Sequence, residues 1–190
     1  MPTVFLVAAV DLLAPPRRAS TAATAKALRR VGAEVVVLVN CEHGSATRIK
    51  KEARYGDVSS STGDPAVAVL SNGRITRQQT PEGFLICETR LGGNNTSIAA
   101  IRRRRAEVCT LTIDLAHIDQ IVVCGEFDEN LNDPVTHRTL RDGGFVDTRE
   151  RQVTERERHD GIVVKGLRTY GHGEYLSEDD ILVRWARLGQ

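Results

Sequence analysis

The sequence of 190 residues is poor in several things at once, and each shortage removes a class of function. Aromatic residues make up 4% of it, with a single Trp, and a single Met is present. No apolar run approaches the roughly 18 residues that a membrane-spanning helix requires, so the sequence contains no membrane span. The four cysteines, Cys41, Cys87, Cys109 and Cys124, form no CxxC pair, which argues against a thiolate metal site or a disulfide framework. Each sits in or beside an apolar run, as a buried free thiol in a reducing cytosol would, and a cytoplasmic location is the expectation. The apolar start, Val4–Val10, lacks the basic flank of a signal peptide and is broken by Asp11, so it reads as a buried strand. Net charge is only +1, so no global field draws nucleic acid or an anionic membrane, and a nuclease is disfavoured on charge alone. Arg outnumbers Lys 22 to 4, a coding bias that carries no mechanism. Repeats, low-complexity tracts and linkers are missing too, and the expectation is one domain over residues 1–190.

What is present alternates between short apolar runs and polar breaks. Val4–Val10 and Val35–Val39 are apolar on both faces and predict central strands. Between them, Ser20 or Thr21 caps a helix carrying Ala25, Leu28 and Val31, and Gly32 stops it. A short helix is expected over 49–54, a polar loop over 59–63, and a strand over Ala66–Leu70 leading into the Asn72-Gly73 turn. Phe84–Cys87 predicts a strand and Gly92–Asn95 a loop. The spacing of Ile98, Ile101, Val108, Leu111 and Leu115 predicts one long helix. Within it, Arg102–Arg105 reads as a solvated face. Ile121–Cys124, Ile162–Val164 and Ile181–Trp185 complete the strands, with a short helix closing at Leu140.

Nine segments, in order, resemble the endonuclease/exonuclease/phosphatase (DNase I-like) superfamily. The first strand ends at Asp11 where that family has a metal-site Asn, and the second ends at Asn40 where it has a Glu. Ala66–Ile75 is similar to the family's small-residue strand and the Ser-Arg stretch after it. Thr89-Arg90-Leu91 is similar to Thr-His-Leu, and Ile101–Thr110 to an arginine-rich helix. Gly125-Glu126-Phe127-Asp128 follows an apolar strand as Gly-Asp-Phe-Asn does. Gly144-Phe145-Val146-Asp147, His159-Asp160-Gly161-Ile162 and Ser177-Glu178-Asp179 fit the remaining motifs. The resemblance implies an α/β (α+β) fold: a four-layer sandwich of two mixed β-sheets flanked by helices, with the site at one edge.

It also implies a reaction, attack of water on a phosphoester, and a divalent cation, Mg²⁺ or Mn²⁺. Nearly every catalytic position differs, however. The metal-site carboxylate and amide are exchanged between Asp11 and Asn40. Glu126 is one methylene longer than the Asp it replaces, and Asp128 turns a hydrogen-bond donor into an anion. Arg90 stands for the phosphate-side His, and Glu178-Asp179 for the terminal Asp-His. No mapped position keeps a His, although His43 and His172 lie close in sequence to the motifs. The candidate catalytic residues are therefore Asp11, Arg90, Glu126, Asp128, Glu178 and Asp179. Arg90, Asn40, Asp160 and His172 would contact a substrate, and Asp11, Asn40 and Glu178 would hold a metal if one binds. Five carboxylates around one Arg suit a metal or a cationic ligand. Three readings stay open: a fold repurposed for acid/base chemistry on a small molecule, with or without metal; a metal-dependent phosphoesterase or nuclease; and a non-catalytic binding or scaffold protein.

Overall fold

The computed structural model describes residues 3–13, 20–42, 44–62, 66–79, 84–102, 107–149 and 157–189. Two six-stranded mixed sheets face each other. The first is built from β1 (Val4–Asp11), β2 (Val35–Cys41), β3 (Asp57–Ser60), β4 (Ala66–Ser71), β11 (Arg168–Leu176) and β12 (Leu182–Gly189), in the order β11-β12-β1-β2-β4-β3. The second holds β5 (Ile75–Gln79), β6 (Phe84–Leu91), β7 (Asn94–Ile101), β8 (Ile121–Glu126), β9 (Val146–Asp147) and β10 (Asp160–Lys165), in the order β5-β6-β7-β8-β10-β9. Helices α1 (Thr21–Val31) and α2 (Ser45–Ala53) cover the outer face of the first sheet. Helices α3 (Val108–Asp114) and α4 (Pro134–Asp142) cover that of the second. This is the four-layer α+β sandwich that the resemblance implies.

Alternation along the strands makes the layers. Val7, Val37, Val69, Cys87, Ile98, Val122 and Ile162 face the space between the sheets and form its core. Their neighbours Ala8, Val36, Leu70, Ala99 and Val123 face the helices instead. Both faces being buried explains why β1, β2 and β8 read as continuous apolar runs. The caps also follow the sequence. Ser20 Oγ accepts from the Ala23 amide, and Gly32 ends α1 with φ 69°.

Several expectations are corrected. The long helix does not exist: β7 takes Asn94–Ile101, and only Val108–Asp114 is helical. Thr96, Ile98 and Ile101 are β-branched, and in a strand Ile98 and Ala100 reach one core while Ala99 and Ile101 reach the other, which no helix would allow. Polar residues 57–60 form the edge strand β3, and the glycine-bearing β11 is a nine-residue strand that apolar patterning did not indicate. Residue 63 of the expected polar loop and most of the arginine run, 103–105, lie outside the described residues.

Candidate active site at the mouth of the sandwich

Register decides which side chains meet. In β10 and β8, Asp160 stands directly opposite Glu126, and further pairs along the same ladder are Ile162 with Cys124 and Val164 with Val122. Those apolar pairs face the inter-sheet core, so Glu126 and Asp160 point the same way, at its open end. Ile101 of β7 is level with Gly125, which brings the next residue, Arg102, to that end too. Gly125 has φ 138°, and a Cβ there would run into the Ile101 carbonyl, so the turn out of β8 requires glycine.

The first sheet meets this end with β1 and β2. The Asp11 Oδ1 accepts hydrogen bonds from Asn40 Nδ2 and from the Leu13 amide, both at 2.9 Å. Asn40 reaches it from a left-handed backbone, φ 57°, at a register shift between Leu38 and Cys41. A bulge of this kind re-aims a side chain. The next residue, Cys41, has its thiol pushed up to about 12 by burial, with Asp11 adding to it. Across the gap, Arg184 of β12 forms an ion pair with Asp160, joining the two sheets. Arg184 also lies 3.3 Å from Glu174 Oε1, which takes a 2.7 Å ion pair from Arg149. The result is a charge relay of alternating sign, Asp160–Arg184–Glu174–Arg149, along one side of the mouth.

A second network holds the loop after β8. Arg158 pairs with the buried Asp147, and its Nε donates to Asn132 at 3.2 Å. Asn130 Oδ1 accepts from the Arg158 and Asn132 amides, each at 2.9 Å. The Phe127 and Leu131 amides donate to the His159 and Arg158 carbonyls. His159, whose Nδ1 lies 3.1 Å from the Asp128 carbonyl, is thereby fixed next to Asp160.

The structure therefore gathers Asp11, Asn40, Glu126, Asp128 and Asp160 at one end, with Asp179 exposed on the loop before β12. It does not gather the others. Arg90 sits at the far end, because β6 runs antiparallel to β7 and Arg90 pairs with Asn95 beside the Gly92-Gly93 hairpin. It is exposed, and its Nε donates to the Gly93 carbonyl at 2.9 Å. Glu178 turns outward to Lys26 of α1 at 3.2 Å and is 84% exposed, so it stands apart from the mouth and from any cation held there. His172, opposite Ala186, is two residues farther from the mouth than Glu174, and His43 lies outside the described residues. Among the mouth residues, Arg184, Glu174, Arg149 and Arg158 lie outside every matched motif, and Arg102 and His159 lie inside matched motifs that gave them no role. One signal was legible: a charged residue at 184, within an otherwise apolar run and at even spacing from Ala186 and Leu188.

The donors do not fit the divalent cation that the resemblance implies. Asp11 and Asn40 are joined through Asp11 Oδ1 and Asn40 Nδ2, and among the described residues no three His, Cys, Asp or Glu side chains converge as cation ligands.

No family model matches the chain, and no curated protein does. Solved structures do. An endonuclease/exonuclease/phosphatase family protein from Bacteroides thetaiotaomicron superposes with a TM-score of 0.72 at 10% identity, over 99% of this chain and 95% of that one. A mannosyl-6-phosphatase from the same organism gives 0.71 at 11% identity, over 98% and 100%. D. rerio TDP2 complexed with single-strand DNA product gives 0.72 at 10%, over 98% and 99%. At these identities the likeness establishes the fold, that of the DNase I-like superfamily, and nothing finer.

Proposed function

We propose that this chain is a repurposed member of that fold, binding a small polar molecule at the mouth and moving a proton on it. Glu126 gives or takes the proton beside Asp160, which Arg184 fixes in place from the other sheet; Asp128, Asp11 and Asn40 contribute polar contacts. The observation that carries this reading is the cross-strand pair Glu126–Asp160 with Arg184 reaching across to Asp160. Two neighbouring carboxylates in different surroundings are a general way to separate acid and base roles. Phosphoester hydrolysis is the weaker reading. Asp128 and Asp179 put negative charge where the family's pattern has a donor and an imidazole, which disfavours an approaching phosphate. The same charges and the overall balance of +1 leave nucleic acid as an unsuitable partner.

A binding role without chemistry is the competing reading, and the internal pairing of Asp11 with Asn40 and of Asp160 with Arg184 favours it. One experiment separates the three. A library of small polar metabolites is screened by thermal shift against the wild type, Glu126→Gln and Asp160→Asn, and hits are followed by NMR for turnover. The proposal expects hits that bind the wild type and are converted by it, with conversion lost in Glu126→Gln. Binding without conversion leaves the binding reading. Turnover of bis-p-nitrophenyl phosphate in Mg²⁺ or Mn²⁺, abolished by Glu126→Gln, would restore the hydrolase.

A further inference from the structure

At the end of the first sheet away from the mouth, two opposite charges stand close without meeting. Glu34, just before β2, accepts a hydrogen bond from the Leu6 amide at 2.6 Å with one carboxylate oxygen, and its own amide donates back to the Leu6 carbonyl at 2.9 Å. Arg187 of β12 is the cross-strand partner of Leu6. Adjacent strands lie about 4.8 Å apart, so the carboxylate and the guanidinium flank one position of the sheet. Yet Arg187 makes no ion pair and no hydrogen bond among the described residues. Both line a cleft of about 520 Å³, together with Val4, Leu6, Gly32 and Tyr170.

Tyr170 enters the cleft through an irregularity. The register of β11 against β12 slips between Thr169 and Gly171, leaving Tyr170 outside the ladder. Its ring lies on Gly189, where a Cβ would come within 2.9 Å of the ring edge, and it remains 46% exposed. A bulge has thus turned the ring over a strand that carries no side chain at that point. An apolar wall, a guanidinium and a carboxylate converge on the same hollow, and among the described residues one oxygen of the carboxylate and the whole guanidinium have no partner.

We propose that this cleft is a second site, separate from the mouth, and that it takes a free α-amino acid with an apolar or aromatic side chain. The ligand carboxylate pairs with Arg187, whose planar fork matches two carboxylate oxygens. The ammonium meets the second oxygen of Glu34, and the side chain lies along Tyr170 and Val4. A zwitterion answers both charges, which reach the cleft from either side of β1, two strand spacings or about 10 Å apart at the backbone. The two charges flank Leu6, five residues along β1 from Asp11, so the site lies about 17 Å from the mouth at ~3.3 Å per residue.

Titration of the ¹⁵N-labelled full chain with L-phenylalanine tests this. Saturable shifts are expected at Leu6, Gly32, Tyr170 and Arg187 and not at Glu126 or Asp160. The N-acetyl derivative and the amide, each lacking one charge, should bind at least tenfold more weakly. Arg187→Gln and Glu34→Gln should each raise the Kd tenfold or more. The carboxamide introduced by Glu34→Gln keeps an acceptor for the Leu6 amide, so the fold is retained. Absence of saturable shifts at these four residues, equal binding by either single-charge derivative, or unchanged affinity in both variants would overturn the proposal.

Discussion

The two ends of the sandwich hold the same kinds of side chain and treat them differently. At the mouth, Asp160, Arg184, Glu174 and Arg149 are tied into one relay, and Asp147 and Arg158 into a second. At the opposite end, Arg90 only spans its own hairpin, and Glu34 and Arg187 face each other across a cleft without joining. The contrast follows from register. At the mouth, even-numbered positions of β8, β10 and β12 aim charges into the space between the sheets, where solvent is scarce and an unmatched charge is costly. At the other end the charges sit on outer faces or on a turn, where water can satisfy them. Charge pairing at the mouth is thus a condition of folding, and charge exposure at the far end is free to serve a ligand.

Substitutions can break this comparison, and the largest effect belongs to the most buried pair. Asp147→Ala removes the counter-charge of Arg158, whose side chain is 11% exposed while that of Asp147 is fully buried. Urea denaturation should show a loss of about 3 kcal/mol, as for other broken buried pairs. A smaller loss comes next, from Arg184→Leu. It strands Asp160 and Glu174, which are about one-third exposed, and about 2 kcal/mol is expected after discounting for water. A double-mutant cycle with Asp160→Ala should return a coupling above about 0.5 kcal/mol. The smallest effects should come from Arg90→Ala and Glu178→Ala, each within about 0.5 kcal/mol of wild type. A cost of about 2 kcal/mol for Arg90→Ala would mean that the two ends of the sandwich do not differ in this way.

The parts of this arrangement differ in how far the sequence disclosed them. Strands buried on both faces announced themselves as apolar runs, and the residues at their ends, Asp11, Asn40 and Glu126, did fall together, as did Asp160 at the start of β10. The motif Thr89-Arg90-Leu91 misled because three residues do not reveal strand direction. Only the Gly92-Gly93 turn, with φ of 59° and 93°, shows that β6 runs away from the mouth. β7 was hidden by alanines and isoleucines that suit a helix as well as a strand, and tertiary burial on both faces chose the strand. Arg184 was missed for the opposite reason. It belongs to no motif, and its role depends on partners in β10 and β11 that lie 24 and 10 residues away in sequence.

The pairing of β1 with β12 also sets a timetable. Val4 is matched with Gly189 in the ladder, so β1 cannot gain this neighbour until β12 is made. At ~5–20 residues per second, a ribosome needs roughly 10 to 40 s to cover that separation. Throughout it, one apolar edge of β1 is open, and Arg184 has not yet been synthesised. The nascent chain therefore has to be shielded from self-association while the strands between β1 and β12 are made, and the Arg184 contacts at the mouth form only once β12 exists.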